Sequence, residues 1–280
     1  AVLDRDQPGP VFLRLVDLLQ VAQHPRDDVA LRDDGPREAP AGELLGQRRA
    51  DRLQGMPELP VRPERARGAV SFMRDPPDGV RGLALSTRGL GILSYLEGKH
   101  AEARTHYENC LSIATESDDQ RTIGLTLNSL GELARSNGDF SEARLYYERS
   151  LQSLQASGTL EAMAYPFCNL GMVAFAEGDE SASVSNLLKA LRLGSDFKSK
   201  TNIASALDGF AAHSSRIGQS RRAASLAGAA QSIRDSLGVV IEAADFQFRE
   251  KYLLETRGSL SESDFLKCYE NGIKLNLDQA

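Results

Sequence analysis

Glycine recurs at positions 98, 138, 178 and 218, every 40 residues without exception. A fixed period of this size forces one conclusion before any element is assigned. The chain repeats a supersecondary unit that cannot bury its apolar face alone and must stack on its neighbours. Four gapless blocks follow from it: Arg81–Gln120, Arg121–Leu160, Glu161–Lys200 and Thr201–Val240. Other columns repeat with the glycines. Leu90, Leu130, Leu170 and Phe210 coincide, then Gly91, Gly131, Gly171 and Ala211, then Ala103, Ala143, Ser183 and Ala223. Tyr107, Tyr147, Leu187 and Ala227 follow, and Cys110, Ser150, Ala190 and Ala230 close the series.

Inside a block the apolar residues are spaced three and four apart, the helical period. In block two, Leu127, Leu130 and Ala134 form one stripe, and Ala143, Tyr147, Ser150 and Leu154 a second. Gly138 between them suits a helix C-terminus that ends in a left-handed residue. Asp139 then serves as an N-cap with Glu142 three residues on, in the manner of a capping box. Gly131 and Ala143 are expected where two helix backbones pass closely, with Tyr107 and Tyr147 filling the space that small residues leave.

The order Leu-Gly, small residue, turn Gly, Ala, aromatic, small residue resembles the tetratricopeptide repeat (TPR) family in all four blocks. That family's consensus period is about 34 residues. The longer period here, together with the missing proline after the second helix, points to longer connections such as Thr115–Thr122. The resemblance implies an all-α fold: a right-handed TPR-type α-solenoid of helix-turn-helix repeats with a 40-residue period. First helices of such a stack line a concave groove. The groove positions the resemblance singles out are Arg88, Ile92 and Tyr95 in block one, and Asn128, Glu132 and Arg135 in block two. Block three adds Tyr165, Met172 and Phe175, and block four Asp208 and Arg216. Aromatic and Met side chains bind peptides adaptably. Arg88, Asn128 and Glu132 do not reproduce the Lys-Asn clamp with which some TPR proteins hold chaperone C-termini.

Two stretches at the end, Arg221–Gly238 and Glu262–Ala280, resemble the closing segment of large bacterial signal-transduction ATPases and LuxR-family transcriptional regulators. Phe265, Tyr269, Gly272, Leu275, Leu277, Asp278 and Ala280 carry the likeness. It implies a protein–protein interaction and sensing arm of a longer regulator, in which a TPR arm follows an ATPase module. The alternative is a self-standing TPR adaptor or peptide-sensing regulator without an ATPase. Two helices, over 243–256 and 262–272, are expected to cover the apolar face of the last repeat.

Residues 1–80 are a different kind of text. They hold ten of the 11 prolines, 12 arginines and no lysine, and only two of the 17 aromatics, Phe12 and Phe72. The organisation expected is a degenerate or loop-rich segment over 1–80, four repeats over 81–240 and capping helices over 241–280. "SFMRDP" (Ser71–Pro76) can be encoded so that a shifted frame spells Leu-Phe-Tyr-Glu-Arg-Ser, close to Leu145–Ser150. Part of Met56–Val80 therefore reads as out-of-frame translation of a further repeat.

No catalytic motif emerges. Gly-Lys-His at Gly98–His100 has six residues between its glycines and no Ser or Thr after the Lys, so it is a repeat turn and not a P-loop. Gly89–Gly91 lacks the third glycine of a dinucleotide fingerprint. His24, His100, His106 and His213 have no metal-like spacing, and Cys110, Cys168 and Cys268 are isolated, as expected of reduced thiols. The acidic run Glu116–Asp119 reads as a solvated connection. No enzyme activity, cofactor or metal is expected. A net charge of −6 gives no electrostatic reason to coat nucleic acid or an acidic membrane. No apolar run approaches the roughly 20 residues of a membrane span. The expectation is a cytoplasmic protein whose partner is a protein or peptide.

Overall fold

The computed structural model describes residues 79–238 and 243–275. The expectations placed on residues 1–78, including the frame shift, lie outside the described residues. The blocks fold as helix pairs: α1 (Val80–Leu96) with α2 (His100–Glu116), α3 (Gln120–Ser136) with α4 (Phe140–Ala156), α5 (Ala164–Glu177) with α6 (Glu180–Asp196), and α7 (Lys200–Arg216) with α8 (Ser220–Leu237). A short 3-10 turn, Leu160–Met163, leads into α5. Two further helices, α9 (Ala243–Gly258) and α10 (Glu262–Ile273), end the described chain. Among the described residues there is no strand. The architecture is an all-α solenoid of TPR type, each helix packed on the next.

The turn glycines stand where the period places them. Gly98, Gly138, Gly178 and Gly218 all have φ between 75° and 84°, the left-handed region that ends a helix without a Cβ clash. Asp119, Asp139 and Asp179 then cap the following helices, each accepting a backbone N–H three residues on, at 2.9–3.1 Å.

The connections after blocks one and three are not longer than the turn within a block; only the one after block two, residues 157–163 with its 3-10 turn, is longer among the described residues. Residues 117–119 join α2 to α3 just as residues 137–139 join α3 to α4, three residues each. The additional length relative to the family consensus lies in the helices: six of the eight repeat helices have 17 residues. A left-handed residue therefore recurs every 20 positions, with Asp118 (φ 50°), Gly158, Lys198 (φ 54°) and Gly238 alternating with the four turn glycines. Asp118 and Lys198 hide this half-period in the sequence, because they occupy a conformation that glycine signals.

Within a pair, small and large residues interlock. A Cβ on Gly131 would lie 2.5 Å from Tyr147 Cε1, and one on Gly91 would lie 2.5 Å from Tyr107 Cε1. Gly171 stands in the same relation to Leu187. Block four makes both partners small, with Ala211 and Ala227 fully buried. The core runs on from pair to pair through Leu127, Leu130, Val173, Leu191 and Leu207, all at most 1% exposed.

The last two helices divide the covering work in a way the sequence did not suggest. Helix α10 packs on α8 so closely that a Cβ on Gly272 would fall onto the Ser225 carbonyl oxygen, and one on Gly228 onto the Tyr269 carbonyl oxygen. It covers the end of the stack. Helix α9 does not simply cap the last repeat. It packs on α7 and α8 and reaches across the concave side to α3.

Candidate functional site

Helix α9 splits the concave side into an occupied part and an open part. Its first turn brings Asp245 to Arg135 on α3, with 2.5 Å between Oδ1 and the guanidinium, across 110 positions of sequence. Phe248 meets Phe175 of α5 edge to face at 5.6 Å. Farther along, Thr256 donates to Ser215 of α7 at 3.0 Å. The centre is a buried charge cluster. Asp208 accepts from Arg234, Arg249 and Tyr252, and each of these four residues is at most 6% exposed. Arg249 also donates to the Ala227 carbonyl at 3.0 Å and to Tyr269 Oη at 3.1 Å, tying α9 to α8 and α10. Burial works against the charge on Arg249, but the Asp208 carboxylate outweighs it and raises the guanidinium above its ordinary range. Burial, reinforced by Asp208, pushes the Tyr252 phenol well above its ordinary value, so it stays a donor.

Five of the eleven groove positions expected from sequence are therefore engaged by the chain itself. Arg135 and Phe175 hold the start of α9, and Asp208 anchors its middle. Arg216 lies over the Phe175 ring, 3.4 Å from its centroid, and donates to the Phe175 carbonyl at 2.8 Å. Met172 accepts from Arg135 through its sulfur at 3.6 Å. Between these residues and α9 only a small cavity of about 260 Å³ is left.

The other six, Arg88, Ile92, Tyr95, Asn128, Glu132 and Tyr165, line an open lane of about 700 Å³ that crosses α1, α3 from Arg121 to Glu132, and the first turns of α5 and α7. Its floor is made by Leu85, Ile92, Leu125 and the buried Tyr95 and Tyr107. Burial, with Glu132 nearby, pushes the Tyr95 phenol up to about 12, so the floor is uncharged at working pH. Asn128 donates to Glu132 Oε1 at 3.0 Å and accepts from Asn169 Nδ2 at 3.3 Å. Arg88 reaches Ser129 Oγ at 3.4 Å. Tyr165 is exposed at the rim.

Arg81, Arg121, Glu161, Phe197 and Asn202 also line the lane and were not among the groove positions read from sequence. They sit in the first turns of helices and in one connection, whereas the family frame points to the middles and ends of first helices. Their columns gave little signal. Phe197 stands in a column that holds Ser117, Ser157 and Leu237, and Asn202 in one that holds Gly82, Thr122 and Ala162. Leu237 is also large and apolar, and Thr122 is also polar and buried, so neither residue stands out from its column.

A concave lane on a stack of helix pairs defines a class of protein, the helical-repeat scaffold whose surface holds other chains. Residues 82–156, which span α1 to α4, match the family model described as tetratricopeptide repeat. Repeats of that family generally mediate protein–protein interaction. No curated protein matches the chain. Among the described residues no group of three or more His, Cys, Asp or Glu is placed to hold a metal, and no helix is long and apolar enough to cross a membrane.

Proposed function

We propose that this solenoid is the partner-binding arm of a bacterial ATPase-type transcriptional regulator, working in the cytoplasm without touching nucleic acid itself. The open lane over α1, α3 and α5 is the seat for a segment of another protein. The observation that carries this reading is the lane itself: about 700 Å³, floored by tyrosines and aliphatics and left uncovered by a helix that closes the rest of the concave side. Protein-binding surfaces concentrate their affinity in such aromatic anchors.

Two measurements test the reading. The gene upstream of the codon for Ala1 should encode a P-loop in the same frame; a stop codon there leaves the self-standing adaptor instead. A partner captured by the chain should be lost by the double variant Tyr165→Ala, Phe197→Ala, whose side chains are 41% and 45% exposed and so removable without opening the core. Equal capture by the variant rejects the lane as the seat.

A further inference from the structure

The lane holds polar groups that the fold leaves unspent. Asn202 is only 2% exposed, yet its amide makes no hydrogen bond to another described residue while it lines the lane. Gly82, Thr122 and Ala162 in the same column show that a smaller residue would fit there. The Arg121 guanidinium, on the lane's rim, has no charged or hydrogen-bonding partner among the described residues, although the Arg121 backbone donates to Asp119. The Arg88 guanidinium makes one long hydrogen bond, to Ser129, and its Nε is buried without a partner.

The opposing charges are largely committed or few. Glu132 already accepts from Asn128, and Arg81 and Asp119 hold each other at 3.2 Å. Glu161 is the remaining carboxylate at the rim. The first turns of α3 and α7, where Arg121 and Asn202 sit, also bring the positive ends of two helices to the lane. Tyr165 and Phe197 add an exposed aromatic shelf.

Resting on the proposal that the lane binds a protein segment, we infer that its partner is an acidic stretch of another protein, bound extended. Carboxylate side chains pair with Arg88 and Arg121. The Asn202 amide, donor and acceptor together, pairs with the partner's backbone. An apolar side chain of the partner lies on the Tyr165–Phe197 shelf. The net acidity of the whole chain does not oppose this, because the lane's uncommitted charge has the opposite sign.

The chain contains no tryptophan, so a single Trp in a peptide reports binding by its own fluorescence. Three peptides of about 12 residues, end-blocked, would alternate Leu with Glu, with Gln or with Lys. The Glu peptide should bind at least about tenfold more tightly than the Gln peptide, the scale of one charge-assisted hydrogen bond, and the Lys peptide least. Added salt should narrow the difference. Arg121→Glu with Arg88→Gln should weaken the Glu peptide about tenfold or more and leave the Gln peptide unchanged. Asn202→Asp, equal in shape, should weaken the Glu peptide most strongly. Circular dichroism checks that each variant keeps its helices, and Arg121→Glu alone, at an exposed position, serves if Arg88→Gln does not fold. Equal binding of the three peptides, no binding of the Glu peptide, or indifference to the arginine changes overturns the acidic-partner inference. If the Gln peptide binds equally well and is lost with Tyr165→Ala, Phe197→Ala, the lane is still the seat and only the acidic preference falls. If no peptide responds to the shelf variant, both readings fall together.

Discussion

Replacing Gly131 by Ala should destabilise the solenoid although Ala is the better helix former. The new Cβ would lie 2.5, 2.7 and 3.0 Å from Cε1, Cδ1 and Cζ of Tyr147. Those ring atoms cannot swing away, because Tyr147 is 0% exposed. Helix propensity favours Ala by about 1 kcal/mol. Overpacking a filled core costs about 1–3 kcal/mol, and a clash with a whole ring edge belongs at the upper end. The expected net loss is about 2 kcal/mol. Tyr147→Ala alone should lose about 3–5 kcal/mol through the cavity it leaves. In that cavity a methyl group on position 131 has room, so Gly131→Ala becomes stabilising there by about 1 kcal/mol. The two changes then couple by about 3 kcal/mol, at the top of the range for residues in contact. The double variant reproduces the Ala211–Ala227 pairing that block four already uses. Urea unfolding of the four proteins, followed by far-ultraviolet circular dichroism, measures the cycle. A neutral or stabilising Gly131→Ala in the wild-type background, or simple additivity, would refute the interlock.

Three more outcomes follow from particular sites. Asp208→Asn removes the one carboxylate between two buried guanidiniums and should cost about 3–5 kcal/mol, read as a lowered urea midpoint with faster amide exchange in α9. Asp118→Gly and Lys198→Gly relieve left-handed backbone and should each stabilise by about 0.5–1 kcal/mol in thermal unfolding, net of glycine's entropy cost. Burial holds the His213 pKa below its ordinary value. The folded state therefore binds fewer protons than the unfolded chain, so stability is full above pH of about 6.5 and declines as pH falls beneath it; His213→Gln should flatten that slope.

What the sequence made legible was whatever the period repeats. Turn glycines could be read because four copies state the same rule, and the Asp139 cap and the Gly131–Tyr147 contact because two copies do; each has a local physical cause. The half-period was obscured where Asp118 and Lys198 adopt a glycine-like conformation within hydrogen-bonded helix ends. The path of α9 was not legible at all. Its contacts, Asp245 with Arg135 and Arg249 with Asp208, join residues outside the repeat to residues inside it, and no column records them. The same holds for the lane: Asn202 and Phe197 lie in a first turn and a connection, outside the family's groove positions, and columns that also hold Thr122 and Leu237 do not mark them.

A stack of repeats that touch only their neighbours behaves as a spring, free to stretch, twist and fray from either end. Helix α9 is a brace bolted across that spring. It is fastened to α3 at Arg135, to α5 at Phe175 and to α7 at Asp208, so it spans three coils and locks their pitch. Blocks two to four must then stretch or melt as one body, while block one, outside the brace, keeps the elasticity of an ordinary coil. One wall of the open lane, helix α1, is thus hinged, and the walls from α3 to α7 are fixed. A guest entering the lane would be gripped by movement of a single wall, and a pull along the solenoid would be taken up at the joint between α2 and α3 before anywhere else.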